Sequence, residues 1–261
     1  MQLTILGSAA SYAGPDQACS GYLVEHDGTT LLVDCGNGTL ANAGHVTDVT
    51  SVDAVLISHS HIDHFADLFA LLAALRFAPE GPLGSLPLYL PEGLWDKLCA
   101  ILTPTGAVNL AEAFEPHVLV AGEALVFDEL TVTPHAVDHV GPSFGFVVDA
   151  PDARLIYTSD TRDGEAARAL VAGGCDVLLA DCTLPAEYAG RGPHLTGAES
   201  GELAKAAGAE LLVLSHLWPT ADHDRMAREA EAAFGGTVVL AEELLTIDMT
   251  PSSGARKKED R

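Results

Sequence analysis

Three histidines and an aspartate lie within six residues of this chain, in the segment HSHIDH at 59–64. The segment follows the apolar run Ala54–Ile57, which places it in a loop at the end of a strand, where α/β proteins bind ligands. Imidazole nitrogens and carboxylate oxygens are ligands of zinc, manganese and iron. On extended backbone His59 and His61 project the same way, whereas Asp63 and His64 turn toward the following helix and can face a second ion. The segment therefore predicts a transition-metal site.

Hydrophobic periodicity indicates the elements that hold this segment. Short apolar runs bounded by Gly, Asp and Asn predict four strands in the first quarter of the chain. These strands are Gln2–Leu6, Gly21–Glu25, Thr30–Val33 and Ala54–Ile57. Apolar residues at helical spacing then predict a helix over Phe65–Phe77, which ends before Pro79 and Gly81.

The second half of the chain mixes strands with helices, and we expect helices to cover both faces of the sheets. The predicted strands are Leu130–Ala136, Phe144–Val148, Arg154–Thr158, Val177–Ala180 and Leu211–Leu214. The predicted helices are Glu165–Val171, Gly197–Ala207 and Ala221–Phe234. Between the halves, the Pro- and Gly-rich segment 81–128 predicts only a helix near Gly93–Leu102.

Two short similarities indicate that the halves are related. LLVDCG at 31–36 resembles LLADCT at 178–183, and VLISH at 55–59 resembles LVLSH at 212–216. No Pro-, Ser- or Gly-rich linker separates the halves, so we expect a single domain over residues 1–249. Residues 250–261 lack apolar periodicity and predict a flexible C-terminal tail.

The composition restricts the class of protein. The 261 residues carry 37 acidic and 13 basic side chains, a net charge of −24, which disfavours an extended nucleic-acid partner and allows a small anionic substrate. Five scattered cysteines without a Cys-x-x-Cys pair predict buried thiols in a reducing compartment. The first residues do not resemble a signal peptide, and the apolar run 65–78 is too short and too charged to span a bilayer. We therefore expect a cytoplasmic protein without a membrane partner.

The segment HSHIDH resembles the His-x-His-x-Asp-His signature of the metallo-β-lactamase-fold hydrolases, and other motifs match in order. Asp34 in LLVDCG resembles the aspartate that orients the metal-binding loop. Three further motifs match those that supply the remaining ligands in this superfamily: His139 in HAVDHVGPSFGF, Asp160 in LIYTSDT and His216 in LVLSHLWP. Ser159 stands where the superfamily often has glycine. The resemblance spans nearly the whole folded chain and implies a four-layer αββα metallo-β-lactamase sandwich.

The resemblance also implies how the ligands divide between two divalent ions, for which zinc is the first expectation and manganese or iron the alternatives. One ion would be held by His59, His61, His139 and Asp160, and the other by Asp63, His64, Asp160 and His216. A shared water would then lose its proton near neutral pH and act as the nucleophile, with Asp63 placed to orient it or take a proton.

Some of these positions have competing interpretations. His135 lies four residues before His139 and could be the ligand instead, although only His139 precedes the Gly-Pro-Ser-Phe-Gly turn. Asp160 alone could be a turn or helix-capping aspartate, and nearby Asp163 could take its part. His216 alone could be a core histidine satisfied by neighbours, but its similarity to His59 favours a ligand.

Within the superfamily the chain resembles the ribonuclease Z-like and cyclic-nucleotide phosphodiesterase branch, because of the segment HLTGAE at 194–199. Thr196 and Glu199 predict a capping box there. His194 remains free, and the resemblance implies that it contacts the scissile phosphate or protonates the leaving oxygen. Only about twenty residues separate His139 from Asp160, so the RNA-gripping arm that ribonuclease Z carries between these motifs is absent.

We therefore expect a dinuclear metal-dependent hydrolase of a small phosphodiester such as a cyclic nucleotide. The alternatives are hydrolysis of an ester, lactone, thioester or aryl sulfate, an arm-less ribonuclease, and metal-dependent nucleotide binding without catalysis. Family members often dimerise, so the resemblance also allows a homodimer.

Overall fold

The structure is a computed structural model that describes residues 1–249, and the tail predicted at 250–261 lies outside the described residues. The apolar runs of the first half form a seven-stranded sheet that also takes in a strand from the end of the described chain. Its strands are β1 Gln2–Gly7, β2 Gly21–His26, β3 Thr29–Cys35, β4 Ala54–Leu56, β5 Leu86–Leu90, β6 Phe114–Val118 and β14 Thr246–Asp248. They are arranged in the order β14-β1-β2-β3-β4-β5-β6.

The second half forms another seven-stranded sheet. Its strands are β7 Leu125–Phe127, β8 Leu130–Ala136, β9 Phe144–Ala150, β10 Ala153–Tyr157, β11 Val177–Asp181, β12 Leu211–Ser215 and β13 Thr237–Leu240. Their order is β13-β12-β11-β10-β9-β8-β7. Each sheet contains a group of parallel strands, β3 to β6 in one and β10 to β13 in the other. The loops that follow the parallel strands of a sheet therefore lie at the same edge of that sheet.

Seven α-helices accompany the sheets within the described residues. They are α1 Thr39–Ala43, α2 Leu68–Arg76, α3 Leu94–Ile101, α4 Pro104–Ala113, α5 Glu165–Val171, α6 Gly197–Ala207 and α7 His223–Phe234. No helix within 1–249 has the length and apolar character needed to cross a bilayer.

Alternate residues of each strand divide between two apolar layers. Val33 and Leu56 of the first sheet share one buried cluster with Phe146 and Leu155 of the second, so this core lies between the sheets. A second cluster joins the first sheet to α2, α3 and α4, and a third joins the second sheet to α5, α6 and α7. The layers are thus helix, sheet, sheet, helix, which confirms the predicted αββα sandwich.

Three expectations need correction. Helices cover only the outer face of each sheet, because the inner faces bury each other. The helix predicted from Phe65 begins at Leu68, because Ile62–His64 forms a separate 3-10 turn and the Asp67 carboxylate accepts hydrogen bonds from backbone N–H groups at the start of α1. The unassigned segment 81–128 contains three strands and α4 in addition to the predicted helix.

Candidate metal centre

Asp34 anchors the loop that carries HSHIDH. It lies in β3, is fully buried, and accepts hydrogen bonds from the backbone N–H and hydroxyl of Ser58 at 2.7 and 2.8 Å. The same carboxylate accepts from Nδ1 of His64 and from the hydroxyl of Tyr157, both at 2.8 Å. Because Nδ1 of His64 donates to Asp34, its Nε2 is left to act as a ligand.

The first group of ligand atoms combines His59, His61, His139 and Asp160, whose donor atoms lie within 4.8 Å of one another. His59 and His61 come from the loop after β4, whereas His139 follows β8 and Asp160 follows β10. Nε2 of His139 lies 3.1 Å from Nδ1 of His61 and 3.6 Å from Oδ2 of Asp160. Two sheets therefore contribute to one cluster.

The second group combines Asp63, His64 and His216, again within 4.8 Å. His216 follows β12, and its Nε2 lies 3.3 Å from Oδ2 of Asp63 and 3.4 Å from Oδ2 of Asp160. Nε2 of His64 lies 3.3 Å from the other oxygen, Oδ1 of Asp160. Asp160 thus contacts both groups, as the sequence predicts for a shared carboxylate.

The centre of this cluster contains buried polar atoms that no hydrogen bond satisfies. They are Nε2 of His59, Nε2 of His64, and Oδ1 and Oδ2 of Asp160. Unpartnered buried groups of this kind are costly, and they are rare away from sites that bind something. Imidazole nitrogens and carboxylate oxygens match zinc, manganese and iron, so these residues fit one or two transition-metal ions.

The backbone that carries these ligands is strained. Asp34, Ser159 and His216 have φ values of 56°, 53° and 52°, in the left-handed region that favours glycine. The conformation of Ser159 explains why a glycine often stands at this position in the superfamily. Backbone strain of about 1–3 kcal/mol per residue is typical of functional sites.

The charges of the centre separate its histidines into two kinds. Burial lowers the pKa of His59, His61 and His139, to about 4 for His139. These imidazoles are therefore neutral at pH 7 and can offer a nitrogen lone pair to a metal ion. Burial also opposes charge on His216, but the carboxylates of Asp160, Asp181 and Asp63 outweigh it and raise the pKa of His216 to about 10. The cluster therefore attracts positive charge around Asp160.

Asp181, at the end of β11, is a site residue that the sequence analysis did not identify. Its Oδ2 lies 2.9 Å from Nδ1 of His194, and its Oδ1 accepts a 2.8 Å hydrogen bond from the Thr183 hydroxyl, which lies 2.7 Å from Nδ1 of His216. Burial disfavours its charge, but His194 and His216 compensate and lower its pKa to about 2. The signal was the similarity of LLADCT to LLVDCG, since Asp181 orients histidines in the second half as Asp34 does in the first.

His194 lies at the rim of the cluster. Its ring centroid is 4.9 Å from that of His139 and 5.2 Å from that of His216. Burial alone would lower the pKa of His194, but the charge and hydrogen bond of Asp181 raise it. The neighbouring capping box is present, with Thr196 and Glu199 bonded to each other across the start of α6.

The structure separates the competing candidates. His135 lies in β8, opposite Gly145 of β9. It belongs neither to the two groups of ligand atoms described above nor to a third, formed by Asp160, Asp181, His194 and His216. Asp163 pairs with Arg168 through two hydrogen bonds of 2.8 and 2.9 Å and is likewise outside the cluster.

Comparison with known proteins agrees with this geometry. Residues 29–217 match the family described as Beta-lactamase superfamily domain. The chain is 35% identical to the uncharacterized protein Rv1339 of Mycobacterium tuberculosis over 245 residues, covering 91% of this chain and 88% of the relative. It is 27% identical to the probable metallo-hydrolase YhfI of Bacillus subtilis, covering 92% and 97% of the two chains. A ribonuclease Z of Methanopyrus kandleri is also 27% identical, covering 93% and 96%.

Solved structures show the same fold. The crystal structure of YhfI from Bacillus subtilis superposes with a TM-score of 0.84 at 25% identity, covering 94% of this chain and 98% of that one. Human tRNase Z, short form, superposes with a TM-score of 0.75 at 23% identity, covering 95% and 99%. With the matched motifs and the assembled histidine and aspartate cluster, these likenesses show that the chain belongs to the β-lactamase superfamily and is a metallo-hydrolase of that fold.

Proposed function

We propose that this protein is a phosphodiesterase that hydrolyses a small phosphodiester, such as a cyclic nucleotide, at a centre of two divalent ions, with zinc as the expected metal. The ligands would be His59, His61, Asp63, His64, His139, Asp160 and His216. Ions bound there would neutralise the charge of the phosphate and supply a water of lowered pKa.

The observation that carries this proposal is the position of His194. Because the Asp181 carboxylate accepts from Nδ1, the ring is fixed in orientation and Nε2 remains to donate a hydrogen bond. The ring stands next to His139 and His216, one from each side of the cluster. An imidazole so placed can contact a phosphoryl oxygen or give a proton to the leaving oxygen.

Asp63 has a second task in this proposal. Its Oδ2 accepts a 2.7 Å hydrogen bond from the backbone N–H of Ser11, which ties the loop after β1 to the centre. The carboxylate lies beside His216 and can orient an attacking water or take its proton.

A relative supports a phosphodiester bond in the substrate, and the insertions that this chain lacks support a small substrate. Ribonuclease Z acts on a phosphodiester backbone, and a homologue of that name aligns over 284 positions although this chain has only 261 residues, so the ribonuclease carries insertions absent here. The net charge of −24 opposes binding of a long polyanion. A small substrate is repelled less, because it carries few charges and these would lie at the centre, next to the bound ions.

The test is hydrolysis of bis(p-nitrophenyl) phosphate and of cyclic nucleotides by the zinc-loaded full-length protein. We expect turnover that H59A abolishes and that H194A lowers about 10²–10⁴-fold in kcat while metal content stays unchanged. H135A is the matched control, because His135 lies outside the cluster.

A parallel panel of a lactone, a thioester and an aryl sulfate separates the alternative chemistry, since the same ions polarise carbonyl and sulfuryl oxygens. Phosphodiester turnover equal in the wild type and H59A would refute the proposal. Tight nucleotide binding without turnover would instead indicate a binding protein.

A further inference from the structure

We propose that the substrate carries a second anionic group, a carboxylate or another phosphate, and that Arg162 and Arg191 bind it next to the metal centre. This inference rests on the proposed function for the position of the first phosphate. Neither arginine belongs to the ligand cluster.

Both arginines line a cavity that the centre also lines. Arg162, Arg191 and His139 form part of the wall of a cavity of about 400 Å³. The same two arginines line a smaller, adjoining cavity with His194. Three carboxylates also line these cavities: Asp138, Asp163 and Glu199. Asp163 pairs with Arg168, and Glu199 accepts hydrogen bonds from the backbone N–H groups of Gly190 and Thr196. A group that enters from the cluster therefore meets two guanidinium groups and one long-range partner of theirs, Asp138.

Within the described residues these two arginines together form one long ion pair. Nε of Arg162 lies 3.7 Å from Asp138, and its side chain is 61% exposed. Within the described residues no carboxylate lies within salt-bridge distance of Arg191, which donates to the carbonyl oxygen of Glu187 instead. By contrast, the guanidinium groups of four other described arginines lie against carboxylates: Arg76, Arg154, Arg168 and Arg225. Arg228, exposed on α7 and away from both cavities, has no ion pair within the described residues either.

This contrast is informative because the protein is strongly acidic. With 37 acidic residues available, two adjacent guanidinium groups beside a phosphate-binding centre retain their capacity to pair. Arginine presents donors in a planar fork that matches carboxylate and phosphate oxygens in a bidentate manner. An anionic group is therefore the ligand that these side chains suit.

Asp181 ties the backbone beside Arg162 to the centre. Its Oδ2 accepts a hydrogen bond of 3.1 Å from the backbone N–H of Thr161, next to Arg162, and one of 2.9 Å from His194. On the other side of Arg191, the backbone N–H of Gly190 donates to Glu199 at 2.7 Å. Arg162 is thus tied to the residue that orients His194, whereas the segment of Arg191 is tied through Glu199 to the start of α6.

The test measures binding, so that it does not depend on turnover. Calorimetry with the zinc-loaded, full-length protein compares adenosine 5′-monophosphate with adenosine 3′,5′-bisphosphate and adenosine 5′-diphosphate. We expect at least one of the two ligands that carry a second phosphate group to bind about tenfold or more tightly than the monophosphate. R162Q and R191Q should each reduce this preference, and the double variant should remove it while the affinity for the monophosphate stays within about twofold.

R228Q is the matched control, since Arg228 is exposed on α7, lines neither cavity and removes the same charge. Equal binding of all three ligands by the wild type, or a preference that survives in the double variant, would overturn the proposal. A loss of affinity for the monophosphate that equals the loss for the bisphosphate would also overturn it, because the arginines would then contact the first phosphate.

The outcomes also separate this proposal from the proposed function. A binding preference without hydrolysis of any phosphodiester would refute the phosphodiesterase and retain the second anion site. Hydrolysis of a phosphodiester without the binding preference would retain the phosphodiesterase and refute the second anion site.

Discussion

Oδ2 of Asp181 lies 2.9 Å from Nδ1 of His194, in a fully buried position where the carboxylate is held ionised. This pair connects the end of β11 with the rim of the metal centre, and it fixes which nitrogen of the imidazole faces away from Asp181.

We expect D181N to lower kcat/KM for phosphodiester hydrolysis by about 10–100-fold. The amide keeps the size of the side chain but removes the charge that favours the Nδ1–H tautomer of His194. Steady-state kinetics with metal analysis tests this, and D149N is the control because Asp149 pairs with Arg154 and lines neither cavity beside the centre. Unchanged kinetics in D181N would show that the pair does not act on the reaction.

Removal of the metal should destabilise the protein. Without a cation, the buried oxygens of Asp160 and the Nε2 atoms of His59 and His64 have no partner. Zinc at one hundred times its dissociation constant contributes about 2.7 kcal/mol per site, which corresponds to a rise in Tm of roughly 5–10 °C for a chain of this size. Calorimetry of chelated and zinc-restored protein, with metal analysis, measures the shift. An identical Tm in both states would argue against a metal at this cluster.

The two buried tyrosines between the sheets should differ when the hydroxyl is removed. Tyr157 donates to Asp34 at 2.8 Å, a hydrogen bond to a carboxylate, whereas Tyr22 bonds to the Ser215 hydroxyl at 2.8 Å. We expect Y157F to lower the free energy of unfolding by about 1.5–3 kcal/mol and Y22F by about 0.5–1.5 kcal/mol. Urea titration gives both values.

Only Y157F should also weaken zinc binding, because Asp34 orients His64. A competition assay with a chromogenic chelator checks this. Equal zinc affinities in the two variants would mean that the Tyr157 hydroxyl serves stability alone.

Ser159 offers a stabilising substitution next to Asp160. Its φ of 53° favours glycine, and its buried hydroxyl has no hydrogen-bond partner. S159G removes both costs, but glycine gives the unfolded chain more conformational freedom, which costs about 0.5–1 kcal/mol. We therefore expect the free energy of unfolding to rise by a net value of about 1 kcal/mol. S159A removes only the hydroxyl and should gain less. Thermal unfolding of the metal-free variants ranks them, and a lower Tm for S159G than for the wild type would contradict this account.

The local sequence predicts the central strands, because both of their faces are buried and they form continuous apolar runs. It also predicts five of the seven α-helices of the described residues, because these bury one face and show helical periodicity, but it misses α1 and α4. It did not predict β5 and β6, which contain Pro87 and Pro116. Both prolines are tolerated: Pro87 precedes the residues of β5 that pair with β4, and Pro116 lies on an edge strand. β14 was missed because its partner, β1, lies more than two hundred residues away in the sequence.

The candidate site likewise contains some residues that a local sequence pattern reveals and others that it does not. HSHIDH is a local cluster, and its residue types alone indicate a metal site. His139 and Asp160 were identified through a family resemblance, and His216 through that resemblance and its similarity to His59, because their convergence depends on how β8, β10 and β12 dock against the first sheet. Asp181 was missed although LLADCT resembles LLVDCG, because its role depends on His194 and His216, which the fold brings to it.

The apolar layer between the sheets has a consequence for the reaction. One sheet supplies the 59–64 loop and the other supplies His139, Asp160 and His216, so the distances within the centre report how the sheets are seated on each other. A change of side-chain volume at Phe146 or Leu155, in the core between the sheets, would shift one sheet against the other and alter the distances between the ligand atoms. Bound ions would in turn cross-link the two sheets, because their ligands come from both.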